Sequence, residues 1–204
     1  MNRKIIGLYK NLKREHGHPR GQWSIWARRS KTRREREQII IESILTQRTN
    51  WKNVQLAMEN LRRAKADSLR GIYSLKSTRK LAPLIRPSGF YRNKAEYLFG
   101  VVKFFVEGGG IKKISKIPIS DLRLALCSIK GVGPETADSI LLYALDKPVF
   151  VIDEYTKRIL IAKRISQSVK YEELRKLFED NLPRDFRLYQ DFHALIVIHA
   201  KNKR

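Results

Sequence analysis

Apolar positions along most of this chain recur at three- and four-residue spacing, the period of a helix that buries one face. From Arg36 the spacing of Ile39, Ile40, Ile44 and Leu45 predicts a helix, which the polar run Gln47-Arg48-Thr49-Asn50 breaks. Trp51, Val54, Met58 and Leu61 predict the next one, with Asn50 as its N-cap. A short helix or turn is expected over 67–73. Leu75-Lys76-Ser77 precedes a helix through Leu81, Leu84 and Ile85, and Pro87-Ser88-Gly89 is a turn. A long amphipathic helix is expected over 91–106. Gly108-Gly109-Gly110 ends it, because three glycines cannot hold helix cheaply. Ile119-Ser120 is expected to cap a helix over Leu122, Leu126 and Ile129, and a further helix is expected over 134–145. The best strand candidate, Val149-Phe150-Val151-Ile152, is too short and isolated for a sheet. The pattern predicts an all-α protein without internal repeats.

Composition narrows the partners. The 204 residues suffice for one domain or two small ones, and 42% apolar with 9% aromatic residues can fill a core. A single cysteine, Cys127, excludes an internal disulfide framework and any four-cysteine metal site. Apolar runs fall far short of the roughly 18 residues of a membrane span, and no signal-peptide core follows Met1-Asn2-Arg3-Lys4. A cytoplasmic protein with no membrane partner is expected. Lysine plus arginine number 43 against 20 acids, a formal net charge of +23. Such a surplus repels itself unless a polyanion neutralises it, and phosphate backbones are the commonest polyanion. Residues 1–36 carry twelve Lys/Arg against Glu15 and Glu35, and the tail Lys201-Asn202-Lys203-Arg204 is basic too. The bland alternative is a lysine-rich, solvated surface.

The segment from Leu126 to Asp138 carries the most chemistry. An apolar helix runs into Gly131-Val132-Gly133, and a second helix starts at Pro134. Glycines permit backbone angles a Cβ forbids and let the main chain approach a partner. Val132 between them can tuck into the core, and Pro134 suits a first helical turn. Backbone N–H groups there can grip a phosphate without reading sequence. An ordinary glycine turn between two helices is the competing reading. Eighteen residues after Glu135, the run Val149–Ile152 delivers Asp153 to a helix start. Asp153 would cap that helix. A carboxylate held ionised there could also stabilise a developing sugar cation or orient water.

At this point the chain resembles the helix-hairpin-helix superfamily of base-excision DNA glycosylases, in its endonuclease III-like branch. Four stretches carry the resemblance: Ser43–Thr49, Gly89–Ala95, Ile129–Ala137 and Val151-Ile152-Asp153. It implies a two-lobed all-α fold. A six-helix barrel lobe would span 35–147 and hold the hairpin, and residues 1–34 plus 148–204 would form the second lobe with the catalytic aspartate. DNA would lie kinked across a cleft with the target nucleotide flipped out of the stack. Asp153 matches the aspartate that assists glycosidic bond cleavage, and Gln47 the residue that fills the gap left by the flipped base. Arg48, Lys130, Gly131, Val132, Gly133 and Thr136 are the further DNA-binding candidates. Double-stranded DNA containing a damaged base is the implied partner, bound by a monomer associated with the nucleoid.

Two departures shape the expected chemistry. Bifunctional relatives carry a lysine nucleophile where this chain has Glu135, and a glutamate cannot form a Schiff base. The resemblance therefore implies a monofunctional glycosylase. Glu135 itself is a candidate pocket group for a cationic base, or a plain first-turn residue. Relatives also continue into a four-cysteine iron–sulfur loop, which this sequence lacks, so no cluster and no other cofactor is expected. Residues 86–91 and 135–141 look most like 3-methyladenine glycosylases, making alkylated purines the expected substrate. The alternatives are a mismatch thymine/uracil glycosylase, a bifunctional oxidised-pyrimidine enzyme and a non-catalytic DNA-structure-binding protein. Lys130 is the substitute nucleophile should a lyase step exist. His16, His18, His193 and His199 have no carboxylate or cysteine partners at metal spacing, so no metal site is expected. Cys127, Trp23, Trp26 and Trp51 read as core residues.

Overall fold

The computed structural model describes residues 3–202. Met1, Asn2, Lys203 and Arg204, part of the basic ends, lie outside them. The described residues form thirteen α-helices with one 3-10 turn and one π turn, and no strand among them. The chain divides into two compact units, residues 31–140 and residues 1–30 with 141–204.

Within residues 31–140 the central element is α3 (Arg33–Leu45). Thr32 and Glu35 close a reciprocal capping box at its start. From Ile39 to Leu45 every residue is buried, so this helix has no polar face in its second half and other helices surround it. α4 (Trp51–Arg63) starts at Asn50, whose side chain accepts from the Asn53 N–H at 2.9 Å. α5 (Leu69–Ser74) and α6 (Thr78–Leu84) start at Ser68 and Ser77 in the same manner. α7 (Tyr91–Glu107) packs Ala95, Leu98, Val101, Val102 and Phe105 inward. α8 (Ile111–Ile114) and α9 (Ile119–Cys127) follow the glycine run. Ser120 does not cap α9. It lies one residue inside the helix, and its hydroxyl donates to Asp121 at 2.9 Å.

Lys94 is the one lysine of α7 turned fully inward, 2% exposed. Its ammonium donates to the carbonyls of Leu45 at 2.8 Å and Ser88 at 2.7 Å. A cation at the C-terminal end of α3 is favoured by the helix dipole, and it pins the 45–47 turn to the 86–90 turn. Burial pushes this amine down to about 8.

The expected helix over 134–145 is two pieces. α10 (Pro134–Ser139) gives way to a π turn over Ile140–Ala144 that is buried throughout. In the unit of residues 1–30 and 141–204, α1 (Arg3–His16) packs along α13 (Phe186–Asn202), with α2 (Trp23–Trp26), α11 (Glu154–Ala162) and α12 (Tyr171–Glu179). Phe150 stacks on Phe178 at 3.8 Å between ring centres, and Phe192 meets both edge-on. Val149–Ile152 is buried but forms no strand. Side chains satisfy its backbone instead: Phe150 N–H donates to the Glu179 carboxylate at 2.9 Å, and Ile152 N–H points to the Tyr171 hydroxyl at 3.5 Å.

Replacing Lys94 with methionine should lower unfolding free energy by about 2–3 kcal/mol, because two buried carbonyls lose their donor. The sign of its pH dependence is fixed too. Between about 8 and 10.5 the unfolded chain binds more protons at this residue than the native one, so Lys94 makes stability rise with pH across that window. Denaturant titrations of both proteins at pH 7.5 and 10 should show this part of the rise disappear in Lys94→Met.

Candidate active site and nucleic-acid interface

Within residues 31–140, α9 ends at Cys127 and α10 begins after Gly133, leaving a tight hairpin. Gly131 sits at φ +80°, and a Cβ there would run into the Tyr97 ring, so both backbone angle and space demand glycine. Gly133 differs from expectation. Its φ of −88° is ordinary extended backbone, and nothing lies within 4 Å of where a Cβ would be. Its lack of a side chain only keeps that surface open. Val132 between them is buried, 4% exposed, and its N–H donates to the Ile129 carbonyl at 3.0 Å.

Gln47 is fastened to this hairpin. Its amide donates to the Gly131 carbonyl at 3.0 Å and to the Thr136 hydroxyl at 3.1 Å. Thr136 is buried, its hydroxyl turned to Gln47. Arg48 follows at φ +50°, its guanidinium 5.7 Å from the centre of the Phe90 ring. Phe90 is itself left-handed, at φ +47°, and 62% exposed. The sequence reading gave Phe90 no role. Its signal was an aromatic directly after Gly89, with no apolar partner at helical spacing.

Lys130 is exposed and pairs with Glu96 at 2.7 Å. The hydrogen bond and charge of Glu96 push its amine above the ordinary lysine range, the opposite of what an amine nucleophile needs. Glu135 is exposed in the first turn of α10. Asp138, further along, is fully buried in a two-pronged pair with Arg123 at 2.7 and 3.0 Å.

In the other unit, Asp153 is the N-cap of α11. Its Oδ1 accepts from the Thr156 N–H at 2.7 Å and hydroxyl at 2.9 Å. Oδ2 faces His193 Nε2 at 3.4 Å, a charge contact rather than a short hydrogen bond. The Asp153 side chain keeps 14% of its surface open. Burial is the largest influence and works against ionisation. His193 and the two Thr156 bonds outweigh it, holding the carboxyl below its ordinary value of 3.8. Asp153 is therefore a carboxylate at neutral pH.

His193, which has no carboxylate partner at metal spacing in the sequence, faces this carboxylate. Its Nδ1 lies 2.7 Å from the Tyr143 hydroxyl, which also reaches the Gln190 carbonyl at 3.3 Å. Nε2 thus faces Asp153 while Nδ1 faces the Tyr143 hydroxyl. Trp23 and Trp26 enclose Tyr143 at 5.6 and 5.1 Å between ring centres, and Trp23 meets His193 edge-on at 5.7 Å. Forty residues separate Asp153 from His193, and only the oddity of a histidine in an apolar helix pointed to it. A second encounter went unforeseen: His16 and His199 converge with Glu15.

Residues 41–184 match the HhH-GPD superfamily of base excision DNA repair proteins. MJ1434 of Methanocaldococcus jannaschii, assigned as a DNA repair glycosylase, is 44% identical over 202 residues, 97% of this chain and 87% of that one. The fold resembles the crystal structure of the H. pylori 3-methyladenine DNA glycosylase MagIII bound to 1,N6-ethenoadenine. The TM-score is 0.73 at 25% identity, covering 98% of this chain and 97% of that one. An 8-oxoguanine DNA glycosylase of Methanocaldococcus jannaschii shares the fold at TM-score 0.66 and 20% identity, covering 98% and 94%. The chain belongs to the HhH-GPD superfamily of base excision DNA repair proteins.

Proposed function

We propose that this protein is a monofunctional DNA glycosylase that hydrolyses the N-glycosidic bond of a flipped, damaged base, an alkylated purine such as 3-methyladenine. It would act as a monomer on double-stranded DNA in the cytoplasm, at the nucleoid. The observation that carries the reading is Asp153, a partly open carboxylate kept ionised at a helix start beside aromatic rings. Such a group opposes the positive charge that grows on the sugar as the bond breaks, and can orient the attacking water. Alkylation at a purine ring nitrogen places formal positive charge on the base, so the leaving group needs little further help. The ethenoadenine bound by the H. pylori relative supports a purine-sized pocket.

The remaining candidates take supporting roles. The backbone of Lys130–Gly133 would hold a phosphate, with Lys130 adding charge. Gln47 and Phe90 would occupy the space that the extruded nucleotide leaves. Phe90 is suited to this because stacking is indifferent to sequence. Arg48 would brace the Phe90 ring and reach a neighbouring phosphate. His193 is a positioning residue: it fixes Asp153 and touches no substrate. Glu135 cannot form a Schiff base, and Glu96 pushes the Lys130 amine above the ordinary lysine range, so neither hairpin residue offers an amine suited to strand cleavage.

A panel of duplexes, each holding one lesion, tests the substrate: alkali-labile sites should form with alkylated adenine. Release from thymine or uracil mispairs would make it a mismatch enzyme, and no release at all a structure-binding protein. Asp153→Asn preserves the cap, since asparagine caps as well as aspartate. Its single-turnover excision rate should fall roughly a thousandfold with little change in affinity for abasic DNA. Near-normal turnover would remove Asp153 from the chemistry. Borohydride should trap no covalent adduct, and a trapped adduct or nicking without alkali would show a bifunctional enzyme. Phe90→Ala should cost roughly tenfold or more in excision from duplex while leaving Tm unchanged.

A further inference from the structure

We infer that Glu15, His16 and His199 form a site for one divalent transition-metal ion of the Zn2+ class, clasping the first helix of the protein to the last. The inference is independent of base excision and draws on a part of the molecule the glycosylase reading does not use.

The three residues come from opposite ends of the sequence. Glu15 and His16 end α1, and His199 lies in the last turn of α13. The packing of α1 along α13 brings their donor atoms into a small triangle. His16 Nε2 lies 2.9 Å from His199 Nδ1, His199 Nδ1 lies 3.2 Å from Glu15 Oε1, and His16 Nε2 lies 3.4 Å from the same oxygen. A tetrahedral Zn2+ with ligands at about 2.0–2.1 Å requires them about 3.3 Å apart. The observed triangle is close to one face of that tetrahedron. The two imidazoles are nearly buried, with 10% and 9% of their side chains exposed, while the carboxylate is half open.

Hydrogen bonding between neutral rings does not account for all three approaches. One N–H can lie between the two nitrogens or point at the carboxylate. Whichever tautomers are chosen, at least one of the three pairs sets lone pair against lone pair or N–H against N–H at 2.9–3.4 Å. A central cation turns all three contacts into attractions. Two imidazole nitrogens and one carboxylate oxygen suit Zn2+ and its neighbours. Calcium and magnesium prefer all-oxygen shells, and the absence of sulfur disfavours a soft Cu(I) ion. His18 is close in sequence but is not a ligand, its Nδ1 lying 3.0 Å from the Lys13 ammonium. Three protein ligands leave a fourth position. A cavity of about 290 Å³, lined in part by Glu15, His199, Asn11 and Lys4, adjoins the cluster and can supply water to it.

The test uses the full chain freed of metal by chelator and titrated with Zn2+ alone and, separately, Co2+ alone. One ion per chain should bind, Co2+ should give the intense visible absorption of a tetrahedral site, and Tm should rise with Zn2+ concentration. His199→Gln and His16→Gln should each weaken Zn2+ binding roughly a hundredfold or more and remove the Tm rise. His18→Gln should bind like the parent. Absence of stoichiometric binding by the parent chain would overturn the proposal, as would binding unchanged in a folded His16→Gln, His199→Gln double variant. If the double variant fails to fold, the parent decides: an octahedral Co2+ spectrum or no spectrum overturns the site, a tetrahedral one supports it.

Discussion

A carboxylate kept charged while mostly removed from water is the constraint around which the unit of residues 1–30 and 141–204 is built. Burial works against the charge of Asp153. Two donors from Thr156 and the facing His193 ring oppose it. Each donor needs its own support. Thr156 is fixed because Asp153 starts the helix that contains it. His193 is fixed because the Tyr143 hydroxyl lies 2.7 Å from its far nitrogen, and Tyr143 is in turn packed by Trp23 and Trp26. Gln190 closes the set, its amide donating to the Leu142 carbonyl at 2.7 Å and to Asp146 at 3.0 Å. The network thus runs from the π turn through α13 to the Asp153 carboxylate, all within the same unit.

The hairpin of the other unit obeys a different economy, in which shape matters more than charge. Gly131 adopts its positive φ under the Tyr97 ring, Val132 anchors the turn from below, and Gln47 ties the loop after α3 to it. Lys94 then fixes the start of that loop through Leu45. Gln47, Arg48 and Phe90 are therefore presented by a braced surface, two of them with left-handed backbones that only a well-determined surrounding would maintain. Glu96, against Lys130, and the exposed Glu135 are acids at the hairpin surface, whereas other acids are locked away. Asp138, Asp191 and Glu37 are buried against specific cations or N–H groups, so they cannot swing out to screen a phosphate.

Local signals were legible in the sequence and distant pairings were not. Asn50 and Ser77 mark helix starts because a short polar side chain before an apolar period has one good use, capping. The all-α class follows from the same period. Asp153 is legible as a cap for that reason, and its further role came only from motif resemblance. The π turn at 140–144 carries no sequence mark, since its residues suit an ordinary helix equally well. Val149–Ile152 looks like a strand because a buried extended segment needs apolar side chains whether or not it pairs. What distinguishes it is the Glu179 carboxylate about thirty residues away. His193 facing Asp153, and His199 facing Glu15 and His16, depend on how α13 packs, which no window of sequence contains.

Lys130 and Lys94 show how opposite surroundings set the charge of an amine. A Schiff base needs an amine that gives up its proton near neutral pH, and proteins achieve this by burial or by placing cations nearby. Lys130 has neither: it is exposed and bonded to a carboxylate. Lys94 does have a lowered amine, yet both of the contacts the structure gives it are to backbone carbonyls, and it is shut away from solvent. Of these two lysines, the one with the lowered amine is in the core and the exposed one has a raised amine. What the protein does hold charged and partly open is the carboxylate of Asp153.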